Sequence, residues 1–136
     1  MDLIKVSPDK EKAKSILKMV SLIEERIKQQ NPEKMTALII ADYYEIIKEL
    51  ITAILLIDGY KTLSYKDLID YIKENHFGFN AYEIRILDDL RILRNRVAYE
   101  GFFVESSYLT RNENNFITVI EKLKKIINQG LKWKPE

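Results

Sequence analysis

The chain has 136 residues, with 22 Lys and Arg against 21 Asp and Glu, one histidine and no cysteine. That length suits a single domain, residues 1–136 with a core over about 8–128, able to bury most of its apolar surface. Near-neutral charge excludes a nucleic-acid binder that works by bulk electrostatics, and the lack of cysteine excludes disulfides, thiolate zinc sites and thiol nucleophiles.

The start, Met1-Asp2-Leu3-Ile4-Lys5, lacks the pattern of a secretory signal, and the densest apolar run, Leu50 to Ile57, is too short for a bilayer. A cytoplasmic location without a membrane is therefore expected. Ser7-Pro8-Asp9 predicts a first helix, with a capping serine, a proline at the first helical position and an acid in the first turn. Ala13, Ile16, Leu17, Val20, Ile23 and Ile27 recur at helical spacing and form a core stripe. Lys10, Lys12, Lys14 and Lys18, with Glu11, Glu24 and Glu25 among them, read as a solvated face.

Asn31-Pro32-Glu33 repeats the cap, proline and acid signal and predicts a second helix running to about Asp58, where Gly59 is the natural stop. This is the most apolar element, and its apolar residues cover more than one face. Such a helix either sits in the middle of a bundle or shares one side with another subunit. Tyr43-Tyr44-Glu45 lies mid-helix, where core or interface aromatics are the ordinary explanation and an active-site role the alternative.

Ser64-x-x-Asp67 resembles a capping box and opens a short helix through about Glu74, with Leu68, Ile69 and Ile72 inward. His76 follows in the loop Asn75 to Phe79. As the only histidine it invites a catalytic reading, against the commoner one of an ordinary loop residue. Asn80-x-x-Glu83 starts a fourth helix.

That helix ends in Leu93-Arg94-Asn95-Arg96-Val97-Ala98-Tyr99-Glu100-Gly101. At about 100° per residue, Ile86, Leu93 and Val97 fall within about 60° of Leu90, and Arg94 falls about 40° to the other side. Arg94 thus projects from the edge of the buried face, and Arg96 points roughly away from it. A guanidinium at an apolar margin needs an anionic partner. Asp88, Asp89 or Glu100 would serve as a structural one, and a phosphate as a functional one. Residues 99–109, with Gly101, Phe102, Phe103 and Val104, break the helical period and are expected to fold back over the bundle or pack at a subunit boundary. Thr110-x-x-Glu113 predicts the cap of a last helix, with Phe116, Val119, Ile120, Leu123, Ile126 and Ile127 inward, and the tail from Leu131 is expected to fray unless Trp133 docks.

No alternating run and no hairpin turn signals a strand. Glycine-rich phosphate loops, dinucleotide fingerprints and zinc-protease motifs are missing, so neither a cofactor nor a metal is expected. The fold class is all-α, an antiparallel up-and-down bundle of about five helices.

Arg94-Asn95-Arg96-Val97-Ala98-Tyr99, late in a small helical chain, resembles the signature of the HEPN superfamily: an arginine, a polar residue and a histidine four to six residues on. Tyr43-Tyr44-Glu45 through Leu50, followed by Gly59-Tyr60, is similar to the central helix of that family. The resemblance implies a bundle that homodimerises so that two motif copies share a cleft. It also implies metal-independent endoribonuclease toxins, or proteins paired with a minimal nucleotidyltransferase as antitoxin. Carried over, Arg94 would hold the scissile phosphate, Asn95 would orient it, and the histidine position falls on Tyr99.

That substitution is the departure. A tyrosine of pKa about 10 is only about 0.1% ionised at pH 7, so a general base for a ribose hydroxyl would be scarce. The resemblance therefore implies first a dimeric module that binds RNA, a nucleotide or a nucleotidyltransferase partner with weakened or lost catalysis. The alternatives are an active ribonuclease toxin using Tyr99 or His76, and a helical dimer with no nucleic-acid role. Tyr99 is also a candidate for adenylylation, although the family's modified tyrosine comes two residues after the histidine, where this chain has Gly101.

Overall fold

The computed structural model describes residues 1–76 and 78–133, which leaves Phe77 of the expected loop and the last three residues of the expected tail outside the described residues. Five helices occur among the described residues: α1 (Lys10–Gln29), α2 (Thr36–Asp58), α3 (Tyr65–Asn75), α4 (Ala81–Glu100) and α5 (Ser106–Lys132). None is long and apolar enough to cross a membrane.

α2 is the element on which the other four helices pack. Its apolar residues point in every direction around the axis, and Ile39, Ile46, Ile47, Leu50, Ile51 and Leu55 are almost completely buried. A helix apolar all round is stable only when it is surrounded, and here α1 and α5 make the most extensive contacts. α1 contributes Ala13, Ile16, Val20 and Ile23 of its expected stripe, with Leu17 and Ile27 partly buried, and α5 contributes Phe116, Val119, Ile120, Leu123 and Ile127. The α1–α2 pair is also tied electrostatically. Arg26 donates to Asp42 through Nε and Nη2 (3.1 and 2.7 Å), and Gln30 donates to the same carboxylate at 2.8 Å.

Three of the expected helix starts differ from the observed ones. α1 begins one residue past Asp9, whose carboxylate accepts from the Lys12 amide at 2.9 Å, so the cap is Asp9 rather than Ser7. The Asn31-Pro32-Glu33 signal forms a separate turn: Asn31 Oδ1 accepts from the amides of Glu33 and Lys34, and α2 starts only at Thr36. Thr36 then donates its hydroxyl back to the Pro32 carbonyl, closing that turn onto the helix.

The third correction concerns Thr110-x-x-Glu113, which is no cap. Thr110 lies inside α5 with its hydroxyl donating to the Ser106 carbonyl at 3.1 Å, and Glu113 accepts from the Tyr43 hydroxyl at 2.7 Å. Burial of Val104 and Leu109 pins this stretch to the core a turn earlier than the side-chain chemistry suggested. α3 and α4 start where expected, and α4 has both halves of its capping box between Asn80 and Glu83. Gly59 and Gly101 end α2 and α4 in the left-handed region, φ 91° and 65°.

Two short strands were not anticipated. β1 (Ile4–Lys5) and β2 (Tyr60–Lys61) pair antiparallel, with Ile4 opposite Lys61. Two residues per strand are too few for alternation to register. The pairing follows from neighbouring contacts: the Val6 amide donates to the Gly59 carbonyl at 2.9 Å and the Asp9 amide to the Leu56 carbonyl at 3.0 Å.

Candidate functional site

Arg94 lies in the last two turns of α4 and is half-buried, as its angular position implied. None of the three carboxylates that could neutralise it does so. Asp88 is held by Arg91 at 3.0 Å and Glu100 by Arg96 at 3.4 Å, and Asp89 lines a cleft with Arg96. Among the described residues the Arg94 side chain makes no ion pair and no hydrogen bond. Its neighbours are aromatic instead: the guanidinium carbon stands 4.9 Å from the centre of the Tyr44 ring and 6.0 Å from that of Tyr99.

Tyr44 comes from α2 and is buried, with its ring stacked on Tyr65 of α3 at 4.5 Å and 21° between planes. Three helices therefore meet in one column of Tyr65, Tyr44 and Arg94. The Tyr65 hydroxyl has no hydrogen-bond partner among the described residues, and burial, with Tyr44 beside it, pushes its ionisation far above the usual phenol range. A guanidinium on a ring face keeps its N–H edge available, because the attraction to the π-face uses the flat side of the ion.

Asn95 is half-buried and Tyr99 is 79% exposed, and neither side chain has a hydrogen-bond partner among the described residues. Arg96 is exposed and lies over Phe102 at 3.9 Å. It lines a cleft of about 250 Å³ between α4 and α5 with Leu93, Tyr108 and Asn112, so within one chain that cleft belongs to Arg96 rather than Arg94. Beyond Gly101, Val104 and Leu109 fold onto the core as expected. Phe103 remains 79% exposed, two residues beyond the Gly101 stop.

His76 stands elsewhere. It follows α3 and sits 3.6 Å from Asp58 at the end of α2. Asp58 is fourteen residues beyond Tyr44, about 21 Å along the axis at 1.5 Å per residue. Within one chain His76 therefore cannot supply an imidazole beside Arg94.

Sequence reasoning identified Arg94, Asn95 and Tyr99 as neighbours at one helix end and read Tyr44 first as a core or interface aromatic, with an active-site role as the alternative. Tyr44 is core, and it is also the surface against which Arg94 lies. Only the packing of α4 over α2 shows the second role. Comparison of the chain with protein-family models, with curated proteins and with solved structures gave no match.

Proposed function

We propose that the C-terminal end of α4 is an anion-binding surface for the phosphate of RNA or a nucleotide, with Arg94 as its principal contact and Asn95 and Tyr99 beside it. The observation that carries this reading is the state of Arg94: a half-buried guanidinium with no ion pair among the described residues, while Asp88 and Glu100 are engaged by Arg91 and Arg96. A phosphate oxygen accepts from two N–H groups of such a fork, and the short charge-assisted bonds are about twice as strong as neutral ones. Tyr99 and Phe103, both widely exposed, offer faces for a base beside that phosphate.

Binding without efficient cleavage is favoured over ribonuclease activity. The motif position of the histidine carries Tyr99, with no hydrogen-bonded base beside it among the described residues, and His76 belongs to another part of the molecule. The finer parts of the reading, an antiparallel up-and-down arrangement and a homodimer that brings two Arg94 side chains to one cleft, rest on the HEPN-like motif, as does a minimal nucleotidyltransferase partner.

Arg94→Ala tests the reading directly. Affinity for a short single-stranded RNA at low salt should fall at least tenfold, and the slope of log affinity against log salt should become shallower by roughly one contact's share. Arg85→Ala, an exposed change early in α4, should leave both unchanged. Equal affinity for wild type and Arg94→Ala would remove the assignment. Sedimentation of the free chain as a monomer at micromolar concentration would remove the shared cleft.

A further inference from the structure

The cleft between α4 and α5 has a polar wall that Arg94 does not use. Its apolar sides are Ile86, Ile92 and Leu93 of α4. Arg96, also part of its lining, is committed elsewhere, with Glu100 at 3.4 Å and Phe102 against its guanidinium.

A carboxylate, a phenol and an amide oxygen remain unengaged. Arg91 pairs with Asp88 and Arg96 with Glu100, and Asp89 makes no ion pair or hydrogen bond among the described residues. Burial and, after it, the charge of Asp89 push the ionisation of the Tyr108 phenol above its usual range, against a smaller pull from Arg111. That hydroxyl is therefore a donor at neutral pH, and Asp89 is its near neighbour. Asn112 spends its Nδ2 on the Tyr108 carbonyl at 2.8 Å, which leaves Oδ1 as a further acceptor.

The complement to such a wall is an edge with two N–H donors side by side and an acceptor next to them, on a flat body. A guanidinium has the donors, but it is a cation and would meet the Arg96 charge in the same cleft. Among the four RNA bases only guanine has paired donors on its Watson–Crick edge, N1–H and the 2-amino group, with O6 beside them. Adenine and cytosine have a single amino group next to an acceptor, and uracil has one N–H between two acceptors. At about 250 Å³ the cleft falls just below the roughly 300–1,000 Å³ of pockets that enclose drug-sized ligands, which suits one base better than a whole nucleotide.

We propose that this cleft is a guanine subsite of the RNA-binding surface, in which Asp89 accepts from N1–H and the 2-amino group, the Tyr108 hydroxyl donates to O6, and Ile92 and Leu93 flank the ring. The subsite rests on the RNA reading of the α4 end and adds a base preference to it. Asp89 lies five residues before Arg94, about 7.5 Å along the axis, and on the opposite margin of the exposed face of α4. The exposed side chains of Tyr99 and Ile92 occupy the face between them. A strand held by one phosphate at Arg94 crosses that face and brings the base of another nucleotide to Asp89.

Three labelled oligouridylates of equal length, each with one internal guanosine, inosine or adenosine, test this by fluorescence anisotropy with the full chain at low salt. The guanosine oligomer should bind at least about fivefold more tightly than the adenosine one, with inosine, which lacks the 2-amino group, between them. Asp89→Asn, a change at an exposed position, should bring the three within about twofold of one another. Arg94→Ala should weaken all three and keep their order. Equal affinities of the wild type for the three would overturn the guanine subsite and leave the anion-binding surface standing, whereas no binding of any of them would remove both. A guanosine preference that survives in folded Asp89→Asn would also overturn the subsite. The wild-type comparison decides it even where a variant fails to fold.

Discussion

The guanidinium of Arg94 rests 4.9 Å from the ring centre of Tyr44, a residue fifty positions earlier on the central helix. The contact joins the end of α4 to the middle of α2 through the Arg94 side chain. A cation on an aromatic face gains about 0.5–2 kcal/mol depending on desolvation. If the α4 end binds RNA as proposed, Tyr44→Phe should keep the ring and that affinity within about twofold, whereas Tyr44→Leu should lower it by roughly 3–30-fold. The Arg94 Nε–H resonance should move downfield in the leucine variant as the ring current is lost. An Arg94 resonance indifferent to Tyr44→Leu would show that the two groups do not stack.

The layer below Tyr44 offers a different kind of test. Tyr65 buries a hydroxyl that has no hydrogen-bond partner among the described residues. An unmet buried hydroxyl costs about 1–3 kcal/mol, and phenylalanine has the same ring without it. Tyr65→Phe should be neutral or stabilising by about 1 kcal/mol in urea unfolding, with an unchanged m-value. A loss of stability above 1 kcal/mol would mean that the hydroxyl has a partner in solution.

Acid should weaken the fold through Glu83, a buried carboxylate. Burial alone raises its pKa, but the Lys122 ammonium at 2.8 Å and the Asn80 amide outweigh this and hold it below the ordinary 4.5. A carboxylate with a depressed folded-state pKa contributes stability that is complete above its unfolded value and is lost as pH falls through the folded one. Thermal midpoints should therefore hold steady above about pH 5.5 and decline below about pH 4.5. Asp58, also depressed, adds to the same limb. Glu83→Gln retains a capping group able to accept from Asn80, and it should lower the neutral-pH midpoint while flattening the acid decline. An acid limb as steep as that of the wild type would point to other carboxylates.

Gly59 should resist substitution. Its φ is 91°, and a Cβ there would lie 3.1 Å from the Val6 carbonyl oxygen. L-residues reach this backbone region only at a penalty of roughly 1–2 kcal/mol. Gly59→Ala should cost at least that in urea unfolding, since the near contact with backbone adds to the strain. Gly78→Ala, where nothing stands within 4 Å, serves as the control and should change little.

How much of this was legible beforehand depended on the range of the interactions involved. Helical periodicity located five helices and marked α2 as either central or shared with another subunit, because an apolar residue every three or four positions is a local record of burial. The Asn80–Glu83 box and the Gly59 and Gly101 stops were readable for the same reason: their donors and acceptors lie within a few residues. Thr110-x-x-Glu113 misled because Glu113 turns to Tyr43, seventy positions away. β1 and β2 were invisible because their pairing depends on where the end of α2 brings Gly59. Arg94 was placed on the correct edge by angle alone, but the freedom of its N–H edge depended on which carboxylates Arg91 and Arg96 would take.

The α1–α2 pair is fastened at both extremities, by Asp9 to Leu56 at one and by Arg26 and Gln30 to Asp42 at the other. Neither helix can slide or roll against its neighbour without rupturing a bond at each extremity, which makes the two a rigid keel. The outer turns of α4 and the exposed aromatics after Gly101 lie outside this keel, where few buried contacts hold them.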